Sequence, residues 1–385
     1  MALKPESFMR QLWLGVIFLQ TIGALGAPAD VNEPMSEIEV RRLINDAVEK
    51  RKLAPGIVVG TIDAAGTKVL AEGRLSTGAK EEVNGDTIFE IGSATKVFTS
   101  LLLADMVRRG EVKLEDPVSK YLPKTVKVPG RNGREITLVD LATHTSALPR
   151  LPSNLTVLHL MWHADNPYAS YTVDQMYEFL SGYSLPRDIG AKYEYSNLGA
   201  GLLGHALALE AGTNYEALVR HRICAPLGMT NTFITVPPSL KGRFATGHDG
   251  KGKPVSNWDI PTLAGAGALR STVNDLLKFL AANMGKTRSD LYASMEAQFK
   301  PRHDAGSANM QIGLGWHIVR KPYGQVIWHN GGTGGYHSFM GFSPETGRGV
   351  AVLANSANDI DGLALRILEV GAPAKKPASA PAEQK

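Results

Sequence analysis

The stretch GQVIWHNGGTGGYHSFMGFSPETGRGVAVLANS, residues 324–356, decides the fold. It breaks into three β-rich runs, GQVIWHN, GYHSFMGFS and GVAVLANS, separated by glycine turns. A helical pattern, DIDGLALRILEV, follows directly. Near the other end, GIVVGTIDAAGTKVLAEGRL reads as two strands joined at Ala64–Thr67. Before it, MSEIEVRRLINDAVEKRKL has helical spacing, with Ser36 as its N-cap and acids in the first turn. Between these ends, residues 90–310 read mostly as helix and loop, with long helical patterns at 94–109, 199–211 and 271–284.

The simplest assembly is an α+β fold, an α/β sandwich. Early and late strands pair into one antiparallel sheet of five or more strands, flanked by the N- and C-terminal helices. The sheet lobe takes residues 35–75 and 312–370, and an all-helical lobe takes residues 90–310. The cleft between the lobes is the default site.

The ends read differently. Lys4 and Arg10 precede the apolar run LWLGVIFLQTIGAL and the small residues GALGAPAD, the pattern of a secretory signal peptide over residues 1–26. Export across the inner membrane to the periplasm is expected. The tail, residues 371–385, is rich in Ala, Pro and Lys and reads as disordered. Residues 1–26 carry net charge +1 and the tail +2, so of the total +4 only +1 belongs to the body, residues 27–370. So neutral a body gives no electrostatic case for nucleic acid. The one cysteine, Cys224, cannot form an internal disulfide and reads as a small buried hydrophobe.

Three stretches carry chemistry. In FEIGSATKVFTSLLLADMVRRG, apolar residues Val97, Phe98, Leu101, Leu102 and Met106 share one helical face. Ser93 then stands at the helix N-terminus, with Lys96 one turn on, on the same side. A helix N-terminus eases negative charge on a serine oxygen, and its unpaired N–H groups can receive an oxyanion. A desolvated lysine can take the serine proton. The plainer reading is an N-cap serine and a solvated lysine. Ser93-x-x-Lys96 is the only such copy in the chain.

In KYEYSNLGAGLLGHALALEAG, Tyr195 and Asn197 precede a small-residue helix. Tyr195 serves as a base only if a cation lowers its pKa from about 10. Asn197 is suited to a substrate amide. The alternative is a packed loop tyrosine and a helix-starting asparagine. The third stretch, WHNGGTGGYHS, leads into a strand, which argues against a phosphate loop. His329 and His337 offer two metal ligands without an evident third, and His159 and His163 lack the glutamate of a zinc protease helix. No Gly-x-Ser-x-Gly elbow occurs.

The ordered set Ser93-x-x-Lys96, Tyr195-x-Asn197 and a late His329-Asn330-Gly331 resembles the penicillin-recognising serine hydrolases, in the branch of class C β-lactamases, low-molecular-weight DD-peptidases and family VIII esterases. LATHTSALPR is similar to the AmpH-type carboxypeptidase/endopeptidases. The resemblance spans about residues 35–370. It implies a β-lactamase/transpeptidase-like fold with Ser93 as acylated nucleophile, Lys96 as its activator and Tyr195 as proton shuttle. Asn197 would bind the substrate amide, and His329, Asn330 and Gly331 would form the substrate-binding strand. Backbone N–H groups of Ser93 and Gly332 would make the oxyanion hole. It implies no cofactor or metal, a small β-lactam or peptidoglycan peptide as substrate, and a monomer. An ester hydrolase is the alternative activity, and a penicillin sensor that acylates without turnover a further one.

The departure is His329, where class C β-lactamases carry lysine. Histidine is mostly neutral at pH 7. Turnover that depends on a substrate carboxylate is therefore expected to rise as pH falls towards about 6.5.

Overall fold

The computed structural model describes residues 34–155, 166–307 and 309–369. The leader, the tail, and His159 and His163 lie outside the described residues.

The late runs form β10 (Gly324–Gly332), β11 (His337–Ser343) and β12 (Arg348–Ala354). The early pair forms β1 (Gly56–Asp63) and β2 (Gly66–Gly73). They join as expected: the antiparallel sheet runs β2-β1-β12-β11-β10-β9-β8-β7. The register pairs Val59 with Val352, Phe339 with Val352, and Asn330 with Phe339.

Three strands were not anticipated: β7 (His303–Ser307), β8 (Met310–Ile312) and β9 (His317–Lys321). Residues 303–307 and Met310 thus belong to the sheet, not to the helical lobe. β7 is short, mostly exposed and contains glycine, so no apolar alternation marks it. Two small ribbons also interrupt the helical part, β3 (Phe89–Glu90) with β6 (Arg270–Ser271), and β4 (Gly130–Arg131) with β5 (Arg134–Glu135).

Both sheet faces are covered, so its central strands are apolar on both sides. On one face α1 (Glu37–Asn45) and the C-terminal helix (Asp361–Glu369) pack Val40, Ile44 and Ile367 against Ile57, Val59, Phe339 and Val352. Ser36 caps α1 through a reciprocal box with Glu39. Val58, Ala351 and Leu353 point the other way, into the larger core shared with the helical lobe.

At the centre of that core runs α2 (Thr95–Arg108). Its apolar face is not its only buried face: every residue from Thr95 to Met106 is buried, polar ones included. Such a helix is enclosed by the protein on all sides. Thr99 finds Gly265 O and the Tyr215 hydroxyl, and the Asp105 carboxylate is paired by Arg108, Arg109 and Arg222. Cys224 is buried, and burial pushes its thiol up to about 12.

Candidate active site

Ser93 sits in a 3₁₀ turn, Gly92–Ala94, that leads into α2. The β3–β6 pairing fixes this turn, with Ile91 N–H donating to Leu269 O at 3.0 Å. β10 lies directly against it. A Cβ at Gly331 would stand 2.0 Å from Ile91 O and 2.7 Å from Ser93 N, and one at Gly92 (φ +49°) 2.8 Å from Gly332 N. Only glycine allows this approach. The segments carrying the Ser93 and Gly332 N–H groups are therefore in direct contact. The glycines serve the protein's own close packing before any substrate arrives.

Lys96 is fully buried, its Nζ 3.1 Å from Ser93 Oγ, 2.9 Å from Asn197 Oδ1 and 2.7 Å from Ala266 O. Burial, and secondarily the charge of Arg150, holds the amine well below its usual pKa of 10.5. A neutral amine has two N–H groups and one lone pair. Asn197 and Ala266 accept the two N–H bonds, which leaves the lone pair for the Ser93 hydroxyl.

Tyr195 and Asn197 come from the start of the helix Asn197–Glu210, capped by Ser196, whose Oγ accepts from Gly199 N–H at 2.8 Å. The Lys96 amine stands 4.7 Å from the Tyr195 ring centroid. The phenol does not titrate as a lowered base. Burial pushes it up to about 12, against the opposing pull of the Ser93 hydroxyl and of Arg150. Tyr195 keeps its proton at neutral pH. Ser93, Asn197 and Gly332 share one pocket with Tyr168, Trp258 and Ile260.

The other residues of the late motif divide. His329 faces this site, fully buried, its ring 5.0 Å from that of His317. Burial first, then His317 and Lys96, holds it well below pKa 6.5. The expectation that it gains charge near pH 6.5 fails for that reason: a cation there would be buried among other nitrogen bases. Asn330 is not brought to the cleft. It points to the opposite sheet face, where its Nδ2 donates to Asp361 Oδ2 at 2.6 Å. His337 shares that rear face, 3.0 Å from Asp361 Oδ1, so His329 and His337 do not converge. His337 instead groups with Asp359 and Asp361, with one ligand atom of each within 4.8 Å of the others.

The family follows from comparison of the whole chain. The family model described as Beta-lactamase matches residues 40–372. The chain belongs to the beta-lactamase family. It is 30% identical to the D-alanyl-D-alanine-carboxypeptidase/endopeptidase AmpH of Escherichia coli K12, over 89% of this chain and 90% of that one. It is 26% identical to a beta-lactamase of Pseudomonas fluorescens, over 82% and 94%. Among solved structures, a class C beta-lactamase from Rhodobacter sphaeroides superposes with TM-score 0.73 at 24% identity, covering 86% of this chain and 96% of that one. The D-alanine carboxypeptidase AmpC of Burkholderia cenocepacia gives TM-score 0.72 at 25% identity, covering 86% and 99%.

For a member of the beta-lactamase family, this chain walls the site with more imidazole than the motifs announce. His144 and His317 were not singled out from sequence, though LATHTSALPR and GLGWHI carry them. His144, at φ +59°, accepts from Ser196 N–H at 3.2 Å and lies 4.6 Å, ring to ring, from Tyr195. His317 Nε2 meets the Tyr193 hydroxyl at 3.1 Å. Burial lowers both, His317 to about 4, so these walls are uncharged at neutral pH.

Proposed function

We propose that the chain is a serine hydrolase that forms an acyl-enzyme through Ser93. Its substrates are D-alanyl-D-alanine peptide amides of peptidoglycan and β-lactams. One observation carries this reading: a fully buried Lys96, held by burial well below its usual pKa of 10.5, with its Nζ 3.1 Å from Ser93 Oγ. In its neutral form its lone pair is left for the hydroxyl. Lys96 takes the hydroxyl proton as Ser93 Oγ bonds to the substrate carbonyl. The Ser93 and Gly332 N–H groups receive the oxyanion, a contribution of about 3 kcal/mol per donor. Tyr195, still protonated, donates to the departing nitrogen, and the proton on Lys96 restores the phenol. Water then replaces the leaving group and reverses the path. The likeness to AmpH supports the peptide substrate, and the likeness to beta-lactamases supports the lactam. The leader pattern supports a periplasmic location, where both are met.

A second reading is a short-chain ester hydrolase, favoured by the uncharged imidazole of His329 where class C enzymes carry lysine. Purified protein is tested with a D-Ala-D-Ala peptide, nitrocefin and p-nitrophenyl butyrate, beside Ser93→Ala. Peptide and lactam turnover supports the first reading, and ester turnover alone the second. Activity that survives in Ser93→Ala rejects both.

A further inference from the structure

Arg150 ends the LATHTSALPR stretch and is held by its backbone. Its carbonyl accepts the N–H groups of Asn197 at 2.9 Å and Leu198 at 3.2 Å, and the preceding Pro149 O accepts Ser196 Oγ at 2.7 Å. This clamp sets the guanidinium 5.0 Å from the centroid of the Tyr195 ring. Its charge is felt at Lys96, Tyr195 and Tyr168, around the reacting serine.

Among the described residues the guanidinium has no hydrogen-bond or ion-pair acceptor, and its Nε is buried without one. Buried donors left unsatisfied call for an explanation. Other cationic candidates nearby are spent. Arg270 is committed to Glu90, Asp259 and backbone carbonyls. Lys96 donates to Asn197 and Ala266, and the three imidazoles are neutral. A planar guanidinium offers paired donors that match a carboxylate.

We propose that Arg150 is the specificity-determining cation of this cleft, binding a carboxylate on the leaving-group side of the substrate. The side follows from Tyr195: the phenol that protonates the leaving nitrogen carries Arg150 beside its ring. This assignment rests on the acyl-enzyme reading above. It moves the carboxylate site from β10, where His329 is neutral, to the loop that follows the helix Leu138–Ala142 and ends at Arg150.

The test compares an N-acyl-D-Ala-D-Ala peptide with the same peptide as its C-terminal carboxamide. Wild type is expected to favour the acid in kcat/KM by ten-fold or more. Arg150→Gln should cut that acid-to-amide ratio by at least ten-fold, and Arg150→Lys by less. An unchanged ratio in Arg150→Gln, whatever the absolute rates, overturns the proposal. So does a wild-type ratio near one, a result that needs no variant to fold. Mass spectrometry of the trapped intermediate keeps the two readings apart. Absence of an adduct on Ser93 rejects the acyl-enzyme reading and this one with it, whereas an adduct with an unchanged ratio rejects Arg150 alone.

Discussion

Gly331 lies so close to Ser93 that a Cβ on the glycine would stand 2.7 Å from the serine nitrogen and 2.0 Å from Ile91 O. Both obstacles are backbone, so neither can swing aside. Gly331→Ala must push β10 off the turn that holds Ser93, and Gly332 moves with it. Losing one oxyanion donor alone costs roughly 100- to 1,000-fold in rate. Acylation of Gly331→Ala by a fluorescent penicillin is expected to slow by at least 100-fold. A variant that acylates at the wild-type rate would contradict the packing.

The neighbouring position is expected to behave differently. Asn330 points away from Ser93 and its Nδ2 bonds to Asp361. Asn330→Ala removes a charge-assisted bond that ties the sheet to the C-terminal helix, worth about 1.5–3 kcal/mol. The unfolding temperature is expected to drop, with kcat/KM changing less than three-fold. A large loss of kcat/KM at an unchanged unfolding temperature would restore Asn330 to the substrate site.

What could be read from the sequence was whatever one element carries by itself. Ser93 and Lys96 lie one turn apart on a single helix, and Ser36 and Glu39 close a box within four residues. The strands β1, β2, β10, β11 and β12 announced themselves by long β-rich runs, whereas β7 shows neither length nor alternation. Long-range facts were hidden. That Arg150 and His144 flank the Tyr195 ring, and that His317 meets Tyr193 two residues before it, depends on loops and strands meeting, which no spacing encodes. The direction of Asn330 was available: strand side chains alternate, so if His329 faces the cleft its neighbour cannot. The charge state of His329 was not, because it depends on burial that only the assembled cleft creates.

That burial sets a pH prediction. His329 is held well below pKa 6.5, so it gains no charge between pH 7.5 and 6. Over that range, kcat/KM for a carboxylate-bearing substrate is not expected to rise, and the profile of His329→Gln should run parallel to wild type. An activation towards pH 6 that disappears in His329→Gln would show that the imidazole does titrate there.

Lys96 makes the opposite kind of signature, in stability. Its folded pKa lies well below its unfolded value of 10.5, so between those two values the unfolded chain binds a proton that the native protein does not. Native stability therefore carries a penalty at neutral pH that shrinks as pH rises towards 10.5. Lys96→Met has no such proton to lose. Its neutral side chain leaves Asn197 Oδ1 and Ala266 O without their donor, a pH-independent cost. The stability of wild type relative to Lys96→Met is thus expected to grow from pH 7 to pH 10, by up to about 1.4 kcal/mol per pH unit. Chemical denaturation of both proteins across that range measures it. A difference that stays flat would mean that Lys96 is charged in the folded protein, and the lone pair assigned to Ser93 would be occupied by a proton.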